Sequence, residues 1–461
     1  MKNYLAIDIG ASSGRHILGR LEDGKIITKE IFRFKNGAIR SESGHLCWNF
    51  EQLFDSVVEG LSSLDEGDRP DFIGVDTWGV DFVLLDSDLQ PIGETVCYRD
   101  DRTEGSEADL ANCISPEELY ARTGIQANRI NTINQLLSLK KYAPDQLERA
   151  EHLLFIPDYI NYRLTGVLSC EYTNASTSGL LDAESRDWDQ DLIEKLGLSR
   201  RIFMPLTMPG TRLGTLSPEI AARVGYTADV ILPATHDTGS AVLAVPSDVP
   251  PLYISSGTWS LFGCEISRPE TSESARWLNF TNEGGFGGSY RFLKNIMGLW
   301  MIQSVAKETG LSFAEIEANA REYVHTKLRV DVNDDRFLAP ASMSAAVRDA
   351  LGVDVCNGEL FAVIYLSLAD CYKKAVDGLL ELVGTLPDVI NIVGGGSRDS
   401  LLCELTASAC KKRVLAGPVE ATALGNLAAQ MICTGDIADK SEARCVISHS
   451  FEIKEYAKYM K

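Results

Sequence analysis

The sequence predicts an α/β protein built from two related halves, and three observations carry that expectation. An apolar strand twice runs straight into a Gly/Ser/Thr loop: Tyr4–Ile9 into Gly10-Ala11-Ser12-Ser13-Gly14-Arg15, and Leu252-Tyr253-Ile254 into Ser255-Ser256-Gly257-Thr258-Trp259-Ser260. At 461 residues the chain is too long for one hydrophobic core, so two large domains are expected. The second half alternates strand and helix, the pattern of a sheet with helices on its faces.

In chain order, the Gly10–Arg15 loop leads into the strand-like run His16–Leu21, then Asp23-Gly24, then Ile26–Ile31. Asp-Gly between two such runs is a hairpin signal. A helix should follow a Walker A loop or a Rossmann turn, so the first loop is neither; it is the bend of a β-hairpin. Phe72–Asp76 and Val80–Leu85 read as buried strands around Thr77-Trp78-Gly79, and helices are expected at 116–122, 133–142 and 157–164. Residues 174–178 and 185–189 read as loops. Val230–Pro233 is a strand leading into His236-Asp237-Thr238-Gly239-Ser240. Pro246, Pro250 and Pro251 then place a boundary near 244–250, giving domains 1–245 and 246–461.

Beyond it, apolar residues recur at helical spacing from Phe361 to Leu382, and Gly384 ends that helix. Val389–Val393 is a strand opening into Gly394-Gly395-Gly396. A helix from Ser400 to Lys412, a strand at 413–416 and a helix from Glu420 towards Met431 complete the pattern.

Composition narrows the function classes. A net charge of −21 argues against nucleic-acid binding and against attachment to an anionic membrane. No signal-peptide layout opens the chain and no run of about 18 apolar residues spans a bilayer. The eleven cysteines are scattered without a Cys-x-x-Cys pair; reduced thiols in a cytoplasm are expected. His16, His45, His152, His325 and His449 show no ligand spacing.

Two carboxylates stand where chemistry could use them. Asp237 lies at a strand end ahead of small residues, placed either to take a proton from a substrate or to cap the helix that follows. Asp8 interrupts an apolar strand, where an unpaired charge is costly to bury, so a Mg²⁺ ion or a backbone hydrogen bond is expected beside it. Arg15 and Lys294 are candidate cations near phosphate, or else partners in surface salt bridges.

Taken together, these segments resemble the FGGY family of carbohydrate kinases, within the superfamily of sugar kinases, hexokinase and actin. The resemblance runs through 6–15, 76–86, 98–103, 157–166, 171–177, 236–241, 255–260, 282–285, 293–303, 333–337, 393–396 and 417–426. It implies two ribonuclease-H-like α/β domains with a cleft between them. It also implies ATP-dependent phosphorylation of a ketose, with Asp237 as general base and Mg²⁺ near Asp8. The resemblance assigns Gly79, His236, Asp237, Thr238 and Asn295 to the sugar. To ATP it assigns Ala11, Ser12, Ser13, Gly14, Arg15, Thr258, Gln303 and Gly395. The segments 76–82 and 294–300 point to L-rhamnulose, phosphorylated at O1, with L-fuculose and D-xylulose as alternative acceptors. Trp78 is placed to stack on the sugar or to join the core. A non-catalytic ATP-dependent switch on the same fold is the reading from another class. A monomer or small homo-oligomer is expected, with its domains rotating about 244–250.

Overall fold

Every residue of Tyr4–Ile9 (β1) is buried, as its near-continuous apolar run requires of a strand covered on both faces. Ser13–Glu22 (β2) pairs with it antiparallel, and Lys25–Lys35 (β3) extends the hairpin. The turn between β2 and β3 is the expected one: Asp23 and Gly24 have φ of 48° and 74°, the left-handed pair of a type I′ turn. Phe72–Thr77 (β4) pairs with β1 in parallel. With Thr211–Thr215 (β5) and Asp229–Leu232 (β6), these strands make a six-stranded sheet in the order β5-β6-β4-β1-β2-β3. Helix Phe50–Ser62 (α1), started by the Asn49 side chain accepting from Gln52 N, contributes Leu53, Val57 and Leu61 to a core shared with Leu5, Ile7, Ile73 and Val75. After β6 the chain passes through Pro233–His236 into helix Asp237–Leu243 (α2).

The structure, a computed structural model, describes residues 1–457, and two units emerge from it. The chain leaves the first unit after Ala244 and returns to it twice, at Ile266–Phe292 and Thr422–Ser450. A single cut near 244–250 leaves both returns out. The second unit holds Leu252–Ser256 (β7), Trp259–Ile266 (β8, whose last residue belongs to the first unit), Val389–Val393 (β9), Arg413–Ala416 (β10) and Lys454–Tyr456 (β11). These run side by side as β8-β7-β9-β10-β11. The 27-residue helix Asn357–Val383 (α3) ends at Gly384, whose φ of 79° lets its N–H bond Leu380 O.

Three local expectations are corrected; in 185–189, read as loop, Asp187–Trp188 pairs antiparallel with Leu181–Asp182. Residues 174–178, read as loop, form helical turns (Tyr172–Ala175 and Ser176–Ser178) because the Glu171 carboxylate takes up the N–H groups of Thr173 and Asn174. The strand read from Val80 begins at Phe82, since Val80 has φ 66°.

Candidate active site

Asp8 on β1 stands in register with Arg15 on β2 and with Asp76 on β4. Its partner is Arg15, which donates from Nε at 3.0 Å and Nη2 at 2.8 Å to Asp8 Oδ2. Arg15, expected to face phosphate, therefore holds a carboxylate here. Sequence reasoning passed over Asp76, although it interrupts an apolar strand just as Asp8 does. Asp76 is fully buried, and its Oδ2 accepts from Asn426 Nδ2 at 2.5 Å while Oδ1 has no partner among the described residues. Burial, and then the charge of Asp8, push its carboxyl well above the usual range.

The edge of β4 carries this cluster to the next segment: Thr77 N donates to Thr235 O at 2.9 Å, and Thr77 bridges His236. His236 occupies the cap position of α2 without a side-chain cap bond, and Asp237 is the first helical residue. Asp237 Oδ1 accepts from the N–H and hydroxyl of Thr238, the latter at 3.1 Å. Oδ2 accepts no hydrogen bond from the described residues. The Asp237 side chain keeps 32 % of its surface accessible, yet burial and the charge of Asp8 push it up to about 6. Asp237 therefore does not cap the helix: its Oδ1 is engaged by the next residue, and Oδ2 is left open. His236 is buried, and burial together with Arg291 holds its imidazole well below the usual range, so it is neutral.

Gly79 is accounted for by its neighbours. A Cβ there would lie 2.8 Å from His236 Cδ2 and 3.0 Å from Thr177 Oγ1. Trp78 is core: it is 6 % exposed, 4.2 Å from the Trp48 ring, and its Nε1 donates to Asp81 at 2.9 Å. Asp81 is buried too, accepting further from Trp48 Nε1, Gln135 Nε2 and Tyr98 N, and burial raises it to about 6.

In the Gly10–Arg15 turn, Gly10 N donates to Ser13 O at 2.9 Å and Asn36 Nδ2 to Gly10 O at 2.9 Å. Ser12 is exposed, Ala11 and Ser13 are half-buried, and Gly14 lies against Phe34 so closely that a Cβ would meet its ring at 2.1 Å. The second unit, taken by itself, exposes Gly257, Thr258 and Trp259. Thr258 Oγ1 comes within 3.5 Å of Gln303 Oε1. Gly395 faces open space, whereas Gly394 and Gly396 pack on Ser256; a Cβ on Gly396 would lie 2.0 Å from Ser256 Oγ. Lys294 and Asn295, half-buried neighbours on strand Tyr290–Met297, point to opposite faces.

Among the described residues no group of three or more His, Cys, Asp or Glu side chains could hold a bare metal ion. The carboxyls of Asp8 and Asp237, close enough for the charge of the first to act on the second, fit a hard cation that keeps several waters and rides on phosphate.

Residues 3–244 match the N-terminal domain of the FGGY family of carbohydrate kinases, and residues 252–433 match its C-terminal domain. The chain belongs to the FGGY family of carbohydrate kinases. Relatives of this kinase include a rhamnulokinase of Oceanobacillus iheyensis, 44 % identical over 98 % of both chains. Another, from Pectobacterium carotovorum, is 43 % identical over 99 % of this chain and 93 % of its own. Its fold is that of a xylulose kinase from Lactobacillus acidophilus (TM-score 0.80, 18 % identity, 99 % and 94 % covered). A gluconate kinase from the same organism shares it too (0.81, 18 %, 99 % and 93 %). Among the described residues no helix of the kinase is long and apolar enough to cross a membrane.

Proposed function

We propose that this kinase transfers the γ-phosphoryl group of ATP to O1 of L-rhamnulose, with Asp237 as general base. One observation carries the assignment of the base. Of the three carboxyls in the cluster, Asp76 is closed off from solvent and Asp8 is forked by Arg15. Among the described residues, Asp237 alone of the three combines an accessible side chain with an oxygen that accepts no hydrogen bond. The choice of ketose is supported by the rhamnulokinases it resembles over nearly their whole length.

Phosphoryl transfer asks a protein mainly for positioning and charge neutralisation. Asp237 takes the O1 proton as that oxygen attacks the γ-phosphorus. Neutral His236, Thr238 and the Gly79 backbone orient the sugar in the first unit. The family resemblance assigns Asn295 to the sugar and Thr258, Gln303 and Gly395 to ATP, and the turn 11–15 to phosphate. Asp8 would hold Mg²⁺ through its waters, and the ion would supply charge neutralisation at the phosphate oxygens when bound. An ADP-release assay across L-rhamnulose, L-fuculose and D-xylulose tests the reading: L-rhamnulose should give the highest kcat/KM, and a preference for another ketose overturns the substrate.

A further inference from the structure

Glu171 is fully buried and joins no ion pair among the described residues, yet its carboxylate accepts five hydrogen bonds. Three come from its own turn: Thr173 N at 2.9 Å, Thr173 Oγ1 at 2.5 Å and Asn174 N at 3.2 Å. Two come from the segment ahead of the base, from Thr235 N at 3.2 Å and Thr235 Oγ1 at 2.7 Å. Thr173 Oγ1 in turn accepts from His236 N at 3.3 Å. One carboxylate and one hydroxyl therefore fix the two residues immediately before Asp237.

The same turn reaches the sugar-facing backbone. Asn174 Nδ2 donates to Trp78 O at 3.3 Å, and Thr177 Oγ1 accepts from Val80 N at 3.2 Å. Val80, a β-branched residue at φ 66°, is strained, and such a conformation persists only where its surroundings over-determine it.

We propose that Glu171 is a positioning residue for phosphoryl transfer. With Thr173 it ties Thr235–Asp237 to the turn 172–178, which also holds Trp78–Val80, so that base and sugar-facing backbone keep one spacing. The proposal rests on Asp237 being the base. The Glu171 carboxyl accepts at both oxygens, once at Oε1 and four times at Oε2; a glutamine would set an amide N–H₂ against another donor.

The test uses the full chain with saturating ATP and compares Glu171→Gln, Thr235→Val, Thr235→Ser and the Glu171→Gln/Thr235→Val double variant. Because a misplacement of about 1 Å costs on the order of 10²-fold, Glu171→Gln and Thr235→Val should each lower kcat at least about tenfold, with KM for L-rhamnulose within about threefold. Thr235→Ser, which keeps the hydroxyl, should recover most of the rate. The double variant should lose no more than the worse single, since both break one contact. A Thr235→Val enzyme with wild-type kcat, or additive losses in the double variant, overturns the proposal. If Glu171→Gln does not fold, the Thr235 pair decides. Asp237→Asn runs alongside: if it turns over normally, the base reading itself fails, whereas an inactive Asp237→Asn beside a fully active Thr235→Val sinks the positioning role alone.

Discussion

Asp8 and Asp76 stand opposite each other on adjacent parallel strands, so both carboxyls share one face of the sheet, about 4.8 Å apart in backbone spacing. Arg15 answers the first charge and Asn426 the second group. Burial and its neighbour's charge both oppose ionisation of the inner carboxyl.

Asn426 is therefore expected to matter for stability. Asn426→Ala leaves Asp76 and the Gly74 carbonyl without a donor they now share, at a cost of about 1–3 kcal/mol. Urea unfolding should show the midpoint lowered; an unchanged midpoint would mean that another donor takes over.

The rate should depend on pH through Asp237. A base must be deprotonated, and this carboxyl is raised to about 6, so kcat/KM should be full near neutrality and fall tenfold per pH unit once below about 6. Asp8 contributes to that rise, so the residual activity of Asp8→Asn should show its acid limb moved to lower pH. Asp237→Asn should lose about 10²-fold or more in kcat while still binding ATP.

Chelation supplies a third check. EDTA should abolish turnover, and Mg²⁺ or Mn²⁺ should restore it. Asp8→Ala should need more metal for half-maximal rate. Full activity in EDTA would remove the cation from the reaction.

His16 sets an acid limit on stability. Both its ring nitrogens are buried without partners among the described residues, the ring lies edge-on to Phe32 and Phe34, and burial lowers it to about 3 from 6.5. The unfolded chain thus binds a proton the folded one refuses between those values. Stability is complete above about 6.5 and falls as pH drops towards 3, by up to about 1.4 kcal/mol per pH unit. His16→Leu should flatten that slope in denaturant titrations between pH 4 and 7; an unaltered slope assigns the acid limb to other groups.

The sequence carried what is local. Asp23-Gly24 announced its hairpin, the apolar run of β1 its burial, and the spacing of Phe361 to Leu382 a helix that Gly384 closes. What it hid depends on partners far along the chain. Asn426 lies 350 residues from Asp76, and nothing in a helical Gly-Asn-Leu announces a carboxyl's donor. Val80 has a β-branched side chain that argues for a strand; tertiary hydrogen bonds to Thr177, Thr132 and Gln135 overrule it. Asp76 itself could have been singled out, because the reasoning applied to Asp8 holds for it without change.

The return of Thr422–Ser450 to the first unit also sets an order of events. Gln430 Nε2 donates to Leu5 O at 3.0 Å, Asn426 bonds Gly74 O, and Leu427 fills the place where Gly19 lacks a side chain. β1 thus waits during synthesis for a helix that follows it by 425 residues. During synthesis β1 and β4 must stay soluble with a bare face, and a fragment cut at the boundary near 244–250 would keep that face for good. For this kinase β1 and β4 are a template that residues 422–450 complete.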